Sequence, residues 1–96
     1  QATQKKVYCG KVTNWFDKIG VVEIAVESAE LHIGARAMAI GATTGVVEFT
    51  VDDMRVNLQP VQATGKGVRC SVAVNPALCP DGRLRRGDKI YIWEKV

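Results

Sequence analysis

The feature that most constrains this chain is a period of two in its apolar residues. Val22, Ile24 and Val26 alternate with Glu23, Ala25 and Glu27. The same alternation runs through Val47-Phe49-Val51, Val68-Cys70-Val72-Val74 and Ile90-Ile92. Successive side chains of an extended strand point to opposite sides, so this pattern predicts strands with one buried face. No stretch of eleven or more residues carries a helical stripe, and residues 25–33 have room for one helical turn at most. The pattern predicts six strands, at about 5–14, 18–26, 36–41, 46–58, 67–75 and 88–95.

Two strands change phase midway. Val7 and Cys9 share a face, but beyond Gly10 the apolar position is Val12. Val47, Phe49 and Val51 give way to Met54, Val56 and Leu58. One extra residue near Gly10, and another near Asp52-Asp53, restores the apolar side to the core. A β-bulge does this and bends the strand. Bent strands curl a small sheet, and closure removes exposed edges. The expected fold is therefore all-β, a small closed six-stranded antiparallel barrel, forming a single domain over 1–96 with residues 1–4 as a disordered tail.

A short echo supports a repeated turn. Leu31-His32-Ile33-Gly34-Ala35-Arg36 matches Leu84-Arg85-Arg86-Gly87-Asp88-Lys89 in a frame of Leu, two spacers, Gly, a spacer, a base and then a strand. In this reading each Leu plugs an end of the core, and each Gly takes a backbone conformation that a Cβ disfavours.

Ninety-six residues exclude a doubly wound nucleotide-binding enzyme or an eight-fold β/α barrel. No apolar run approaches the ~20 residues of a membrane-spanning helix, so no membrane partner is expected. The first residues lack an apolar signal segment, and Gln1 in place of Met fits a trimmed or excised piece. The three cysteines, Cys9, Cys70 and Cys79, are odd in number and lack metal-binding spacing. They read as thiols of a reducing, cytoplasmic compartment, with Cys70 in the core and a Cys70–Cys79 bridge as the minor alternative.

The net charge of +3 is unevenly spread. Residues 1–48 hold five basic and five acidic side chains, and residues 49–96 hold eight and five. The surplus concentrates in Arg83-Leu84-Arg85-Arg86-Gly87-Asp88-Lys89, either a solvated turn or a phosphate-contacting patch.

Several motifs together resemble a known family. Gly10-Lys11-Val12-Thr13, Lys18-Ile19-Gly20 and Val22-Glu23 open like a translation-factor barrel. Leu31-His32-Ile33-Gly34 with Ala39-Ile40-Gly41-Ala42-Thr43-Thr44 resembles "L-x-V-G-D-x-I-x-I-x-G-x-T-T". Val51 to Val56, Ala63 to Val68 and Arg86-Gly87-Asp88-Lys89-Ile90-Tyr91 resemble three further stretches in the same order. The family is the second domain of elongation factor Tu, with its stand-alone translation-elongation-factor-like relatives. A similar barrel closes the collagenase-like peptidases as their C-terminal domain. The chain departs from the pattern at Ala35, where Asp is usual, at Phe49, at Asp53 and in the longer turn from Asn75 to Arg85. The resemblance implies a barrel without catalytic role that contacts RNA or a ribonucleoprotein.

The residues themselves offer little enzyme chemistry. His32 is the lone imidazole and reads as a turn residue. Asp52-Asp53 reads as a bulge with edge charge rather than an acid/base pair. The glycines around Thr43-Thr44 and Lys66 lack the order of a phosphate loop and precede no helix. A non-enzyme without cofactor or metal is expected. The candidate binding residues are Trp15, Lys18, Arg85, Arg86, Lys89, Tyr91 and Trp93. Tyr91 and Trp93 lie opposite Ile90 and Ile92 and are expected to face outward, where they would meet another domain or subunit, a long loop, or RNA bases. The functional expectation is a binding barrel for RNA or a ribonucleoprotein. The alternative is an accessory or oligomerising protein-interaction barrel, such as a module of a larger enzyme.

Overall fold

A computed structural model describes residues 4–80 and 82–95. The strands are β1 (Gln4–Phe16), β2 (Val21–Val26), β3 (Leu31–His32), β4 (Arg36–Gly41), β5 (Gly45–Thr50), β6 (Met54–Val56), β7 (Gln59–Pro60), β8 (Ala63–Thr64), β9 (Arg69–Ala73) and β10 (Lys89–Lys95). A single 3₁₀ turn, Pro76–Leu78, is the only helical element among the described residues; the Asn75 side chain caps it by accepting from the Ala77 N–H. The disordered-tail expectation for residues 1–3 lies outside the described residues. Gln4 already opens β1 and pairs with Lys95.

Eight strands form one antiparallel sheet in the order β5-β4-β10-β1-β2-β9-β6-β7, and β3 pairs with β8 beside it. The fold class is thus all-β, but the closed six-stranded barrel is not what forms. The sheet is open: β5 and β7 are its two edges, and no ladder joins them among the described residues. The reason lies in the predicted strand 46–58. At Val51–Asp53 it stops pairing with β4 and, as β6, begins pairing with β9 at the far side of the sheet. Three linking residues reach about 13 Å at most. The sheet therefore curls until its two sides approach, without a hydrogen-bonded seam.

The phase break in β1 is real and double. One register shift falls between Tyr8 and Gly10 on the β10 side, and a second between Val12 and Asn14 on the β2 side. Each shift returns the next apolar residue to the core. Ile24, Leu31, Met54, Leu84 and Ile90 are sealed there with Val12, Val22, Val26, Val47, Val51 and Val72. Each large aliphatic side chain so buried contributes about 1.5–3 kcal/mol relative to exposure. Cys9, Cys70 and Cys79 are buried free thiols, so no Cys70–Cys79 bridge forms.

The echoed turns are one structure used twice. Leu31 and Leu84 are both fully buried. Gly34 and Gly87 sit at φ +89° and +93°, where only glycine is comfortable. The Ala35 N–H donates to the His32 carbonyl and the Asp88 N–H to the Arg85 carbonyl, both at 3.1 Å. Gly34 donates to Val51 and Val51 to Ala35, while Gly87 donates to Val12 and Val12 to Asp88.

Candidate functional site

The pairing of β1, β10, β4 and β5 builds a grid on the outer face of the sheet. Tyr8 opposes Tyr91, Tyr91 opposes Met38, and Met38 opposes Glu48, giving one row across four strands. On one side of that row Lys6 opposes Trp93 and Arg36 opposes Thr50. On the other, Lys11 opposes Lys89, Lys89 opposes Ile40, and Ile40 opposes Val46. The inner residues between them, Ile90 and Ile92, are buried. Tyr91 and Trp93 therefore point outward, as the alternation predicts, and both are half-buried.

Their neighbours are polar and aromatic. The Tyr8 and Tyr91 rings meet edge to face at 5.6 Å and 68°. The Lys6 Nζ lies 4.8 Å from the centre of the Tyr91 ring, a cation–π contact. Trp93 Nε1 donates to Glu48 Oε1 at 3.3 Å, and the Tyr8 hydroxyl donates to the Glu27 carboxylate. That hydrogen bond pushes the Tyr8 phenol up to about 12, because the neighbouring carboxylate disfavours a phenolate. The rings are thus held in place, and the surface around them carries Lys6, Lys11, Arg36 and Lys89 against Glu27 and Glu48.

The predicted site residues do not all meet here. Lys89, Tyr91 and Trp93 do. Arg85 and Arg86 are exposed in the turn that leads into β10. Lys18 is exposed in the β1–β2 turn, at the other end of β1 from Tyr8. Trp15 is a correction: the expected strand ends at 14 and leaves Trp15 as a binding residue beyond it, but β1 continues through Trp15, which is 7% exposed and part of the core, with Nε1 donating to Asp17 at 2.5 Å. The second register shift of β1 turns it inward. Lys6, Arg36, Met38 and Glu48 belong to the face and are absent from the sequence-based set. Only the strand pairing, which periodicity does not encode, brings them beside Trp93.

The turn before β10 is locked by one buried carboxylate. Asp88 is 5% exposed, and its Oδ2 accepts from Thr44 Oγ1 at 2.5 Å and from the Arg85 N–H at 2.8 Å. This pins the β4–β5 hairpin to the turn that carries Arg85 and Arg86. Arg83 reaches Asp17 at 3.8 Å, tying the same turn to the end of β1.

Nucleophile chemistry finds no geometry among the described residues. His32 is exposed and its Nδ1 contacts the adjacent Ile33 carbonyl at 3.1 Å. Burial pushes the Cys9 thiol up to about 11 and the Cys70 thiol to about 12, the reverse of an activated nucleophile, and raises that of Cys79 as well. No group of three His, Cys, Asp or Glu side chains comes together as a metal site among the described residues. No helix there is long and apolar enough to cross a membrane.

Comparison with known proteins points to peptidases. The chain is 42% identical over 88 residues to a collagenase of Porphyromonas gingivalis, an alignment that takes in 92% of this chain and 21% of the collagenase. It is 35% identical over 92 residues to an uncharacterized protease of Methanocaldococcus jannaschii, covering 96% of this chain and 21% of the protease. The chain thus spans about a fifth of the length of the curated relatives it matches. Among solved structures, the C-terminal domain of a Geobacillus thermoleovorans protein described as a U32 peptidase superposes with a TM-score of 0.76 at 10% identity, over 90% of this chain and 91% of that one. A selenomethionine variant of that domain gives 0.67. At such identity the likeness concerns the fold alone. No family profile matches the chain. The similarity to peptidases follows the second of the two families that the sequence motifs resemble.

Proposed function

We propose that this chain is an accessory, non-catalytic module of a larger collagenase-like peptidase, and that it docks on its protein partner through the Tyr91–Trp93 face. The observation that carries this reading is the alignment: nearly the whole chain matches one fifth of proteins named as collagenases. A module needs a contact surface, and the β5-β4-β10-β1 face supplies one. It combines pre-positioned aromatic rings with Met38 and Arg36, residue types enriched at protein interfaces. Its excess of Lys and Arg suits an acidic partner surface.

The test is a graft. The matching fifth of the Porphyromonas gingivalis collagenase is replaced by this chain, and peptide hydrolysis is followed. The graft is expected to retain activity, the graft carrying Trp93→Ala to lose at least several-fold, and the 96-residue chain alone to hydrolyse nothing. Hydrolysis by the chain alone overturns the non-catalytic assignment. The cationic and aromatic composition is also the chemistry of single-strand RNA binding. A titration with single-stranded RNA at two ionic strengths separates the two, because phosphate-driven affinity falls steeply with salt. Tight, salt-sensitive binding would replace the protein partner with RNA.

A further inference from the structure

Away from the Tyr91–Trp93 face, the outer side of β2, β9 and β6 carries a groove of about 450 Å³. Phe16, Ile19, Val21, Ala73 and Leu58 give it an apolar lining, and Asp53 and Arg55 are its charged groups. Three of the five exposed large apolar residues among the described residues collect here, with Phe16 38%, Ile19 69% and Leu58 87% exposed. Leu58 is doubly anomalous. It occupies the β6–β7 hairpin with Asn57, and the two have φ +68° and +52°. That two-residue turn normally takes glycine at one or both positions. Leucine there is strained, and its side chain is left in water. A glycine would relieve both costs. Local strain of this kind points toward a function for the residue that bears it.

We propose that this groove is a self-association site, in which Leu58 of one copy seats between Phe16 and Ile19 of a second copy, and the reverse contact forms by two-fold symmetry. The inference stands independently of the peptidase reading. Leu58 lines the groove yet is 87% exposed, so one surface offers both an apolar side chain and an apolar hollow, as an isologous contact requires. The charges agree. Asp53 and Arg55 form a loose pair at 3.7 Å, each about half exposed, so the groove holds one charge of each sign. A two-fold axis sets Asp53 of one copy against Arg55 of the other. The Tyr91–Trp93 face, with its surplus of cations, would instead repel its own copy. The apolar patch is three side chains wide, below the roughly 800 Å² per partner of a standard interface. The dimer accordingly belongs to the weak, transient class of contacts.

Sedimentation equilibrium of the 96-residue chain under reducing conditions, from about 10 µM to 1 mM, reads the association directly. The wild-type chain is expected to dimerise across that range. Leu58→Gly is expected to keep or raise the melting temperature while weakening the dimer at least ten-fold, and Ile19→Ser to weaken it similarly. Asp53→Arg and Arg55→Asp are each expected to weaken it, and the double swap to restore it. A wild-type chain that stays monomeric at 1 mM overturns the proposal. So does a dimer indifferent to Leu58→Gly and Ile19→Ser, which would lie on another surface. A monomer that binds the apolar dye ANS, with binding lost in Leu58→Gly, would give the groove to a foreign apolar ligand and also overturn self-association.

Discussion

Gly41 and Asp88 make a pair whose coupling can be measured. A Cβ built at Gly41 falls within the Asp88 carboxylate, and its three nearest atoms all belong to that side chain. Gly41 is an ordinary strand residue, outside the positive-φ set, so an alanine there meets no backbone objection. Gly41→Ala must therefore push the carboxylate off Thr44 Oγ1 and the Arg85 N–H, or bend the β4–β5 hairpin. Overpacking of a tight site costs about 1–3 kcal/mol, and each buried polar group left unpaired about 1–3 more. Thr44 is fully buried, whereas the Arg85 N–H is only partly so. Counting the overpacking and the buried Thr44 hydroxyl alone, the sum is about 2–6 kcal/mol. Asp88→Ala strands the same two donors and is expected to cost a similar amount. In the Asp88→Ala background the obstruction is gone, and alanine in place of a strand glycine becomes neutral or gains up to about 1 kcal/mol. The double-mutant cycle should thus show a coupling of about 2 kcal/mol or more. Urea denaturation of the four proteins measures it, and for a domain of this size Gly41→Ala alone should lower Tm by at least about 8 °C. If Gly41→Ala costs the same with and without the Asp88 carboxylate, the packing argument is wrong.

Three further outcomes follow from the same structure. Val72 is fully buried in β9 opposite Val22 and Met54, so Val72→Asp should unfold the chain, seen as loss of the strand signal in far-ultraviolet circular dichroism. Trp93→Ala and Arg86→Ala should each lower stability by no more than about 1 kcal/mol, because both side chains are outward; a Trp93→Ala variant that melts would place Trp93 in the core. Stability should fall in alkali. The folded state holds the proton on Cys9, Cys70 and Tyr8 above the ordinary thiol and phenol values, so their contribution is complete below about pH 9 and is lost as pH rises towards about 12. For Cys9 alone the rise to about 11 amounts to about 3 kcal/mol. Urea midpoints at pH 8 and 11 in reductant check the sign, and an unchanged midpoint in wild type would refute it.

The sequence showed which way side chains point more readily than which strands meet. Alternation placed Ile90 and Ile92 inside and Tyr91 and Trp93 outside because facing is a local property of extended backbone. The bulge at Gly10 was legible because it leaves an apolar residue out of phase. The bulge that follows Val12 was not: Thr13 and Asn14 are polar on either reading, so Trp15 looked like a loop residue. The open sheet was hidden for a different reason. The phase break at Asp52-Asp53 reads as a bulge within one strand, whereas it marks the point where the chain changes neighbour from β4 to β9. That switch is decided by which edge is free once β4 and β9 are in place, a property of the whole sheet. Leu58 reads in the sequence as one more alternating strand residue, and its exposure at a hairpin tip needs the backbone angles.

The two echoed turns show how one backbone is stabilised in two ways. Both have the buried leucine, the left-handed glycine and the same exchange of hydrogen bonds with a valine, Val51 for the first and Val12 for the second. They differ at the residue after glycine, Ala35 in one and Asp88 in the other. The first turn has a neighbouring strand. Leu31 and His32 pair with Thr64 and Ala63, and the Ile33 N–H donates to the Gln62 carbonyl. The second turn has no such ladder among the described residues. Its Arg85 N–H, which a neighbouring strand would otherwise satisfy, is taken by the Asp88 carboxylate instead. A buried acid is costly unless its partners are in place. It stands where the side chain must supply what the sheet does not, and alanine suffices where the sheet provides. An alanine at position 35 is therefore compatible with the fold. The same logic places the carboxylate next to the turn that presents Arg85 and Arg86, where a fixed backbone also fixes how those two side chains leave the surface.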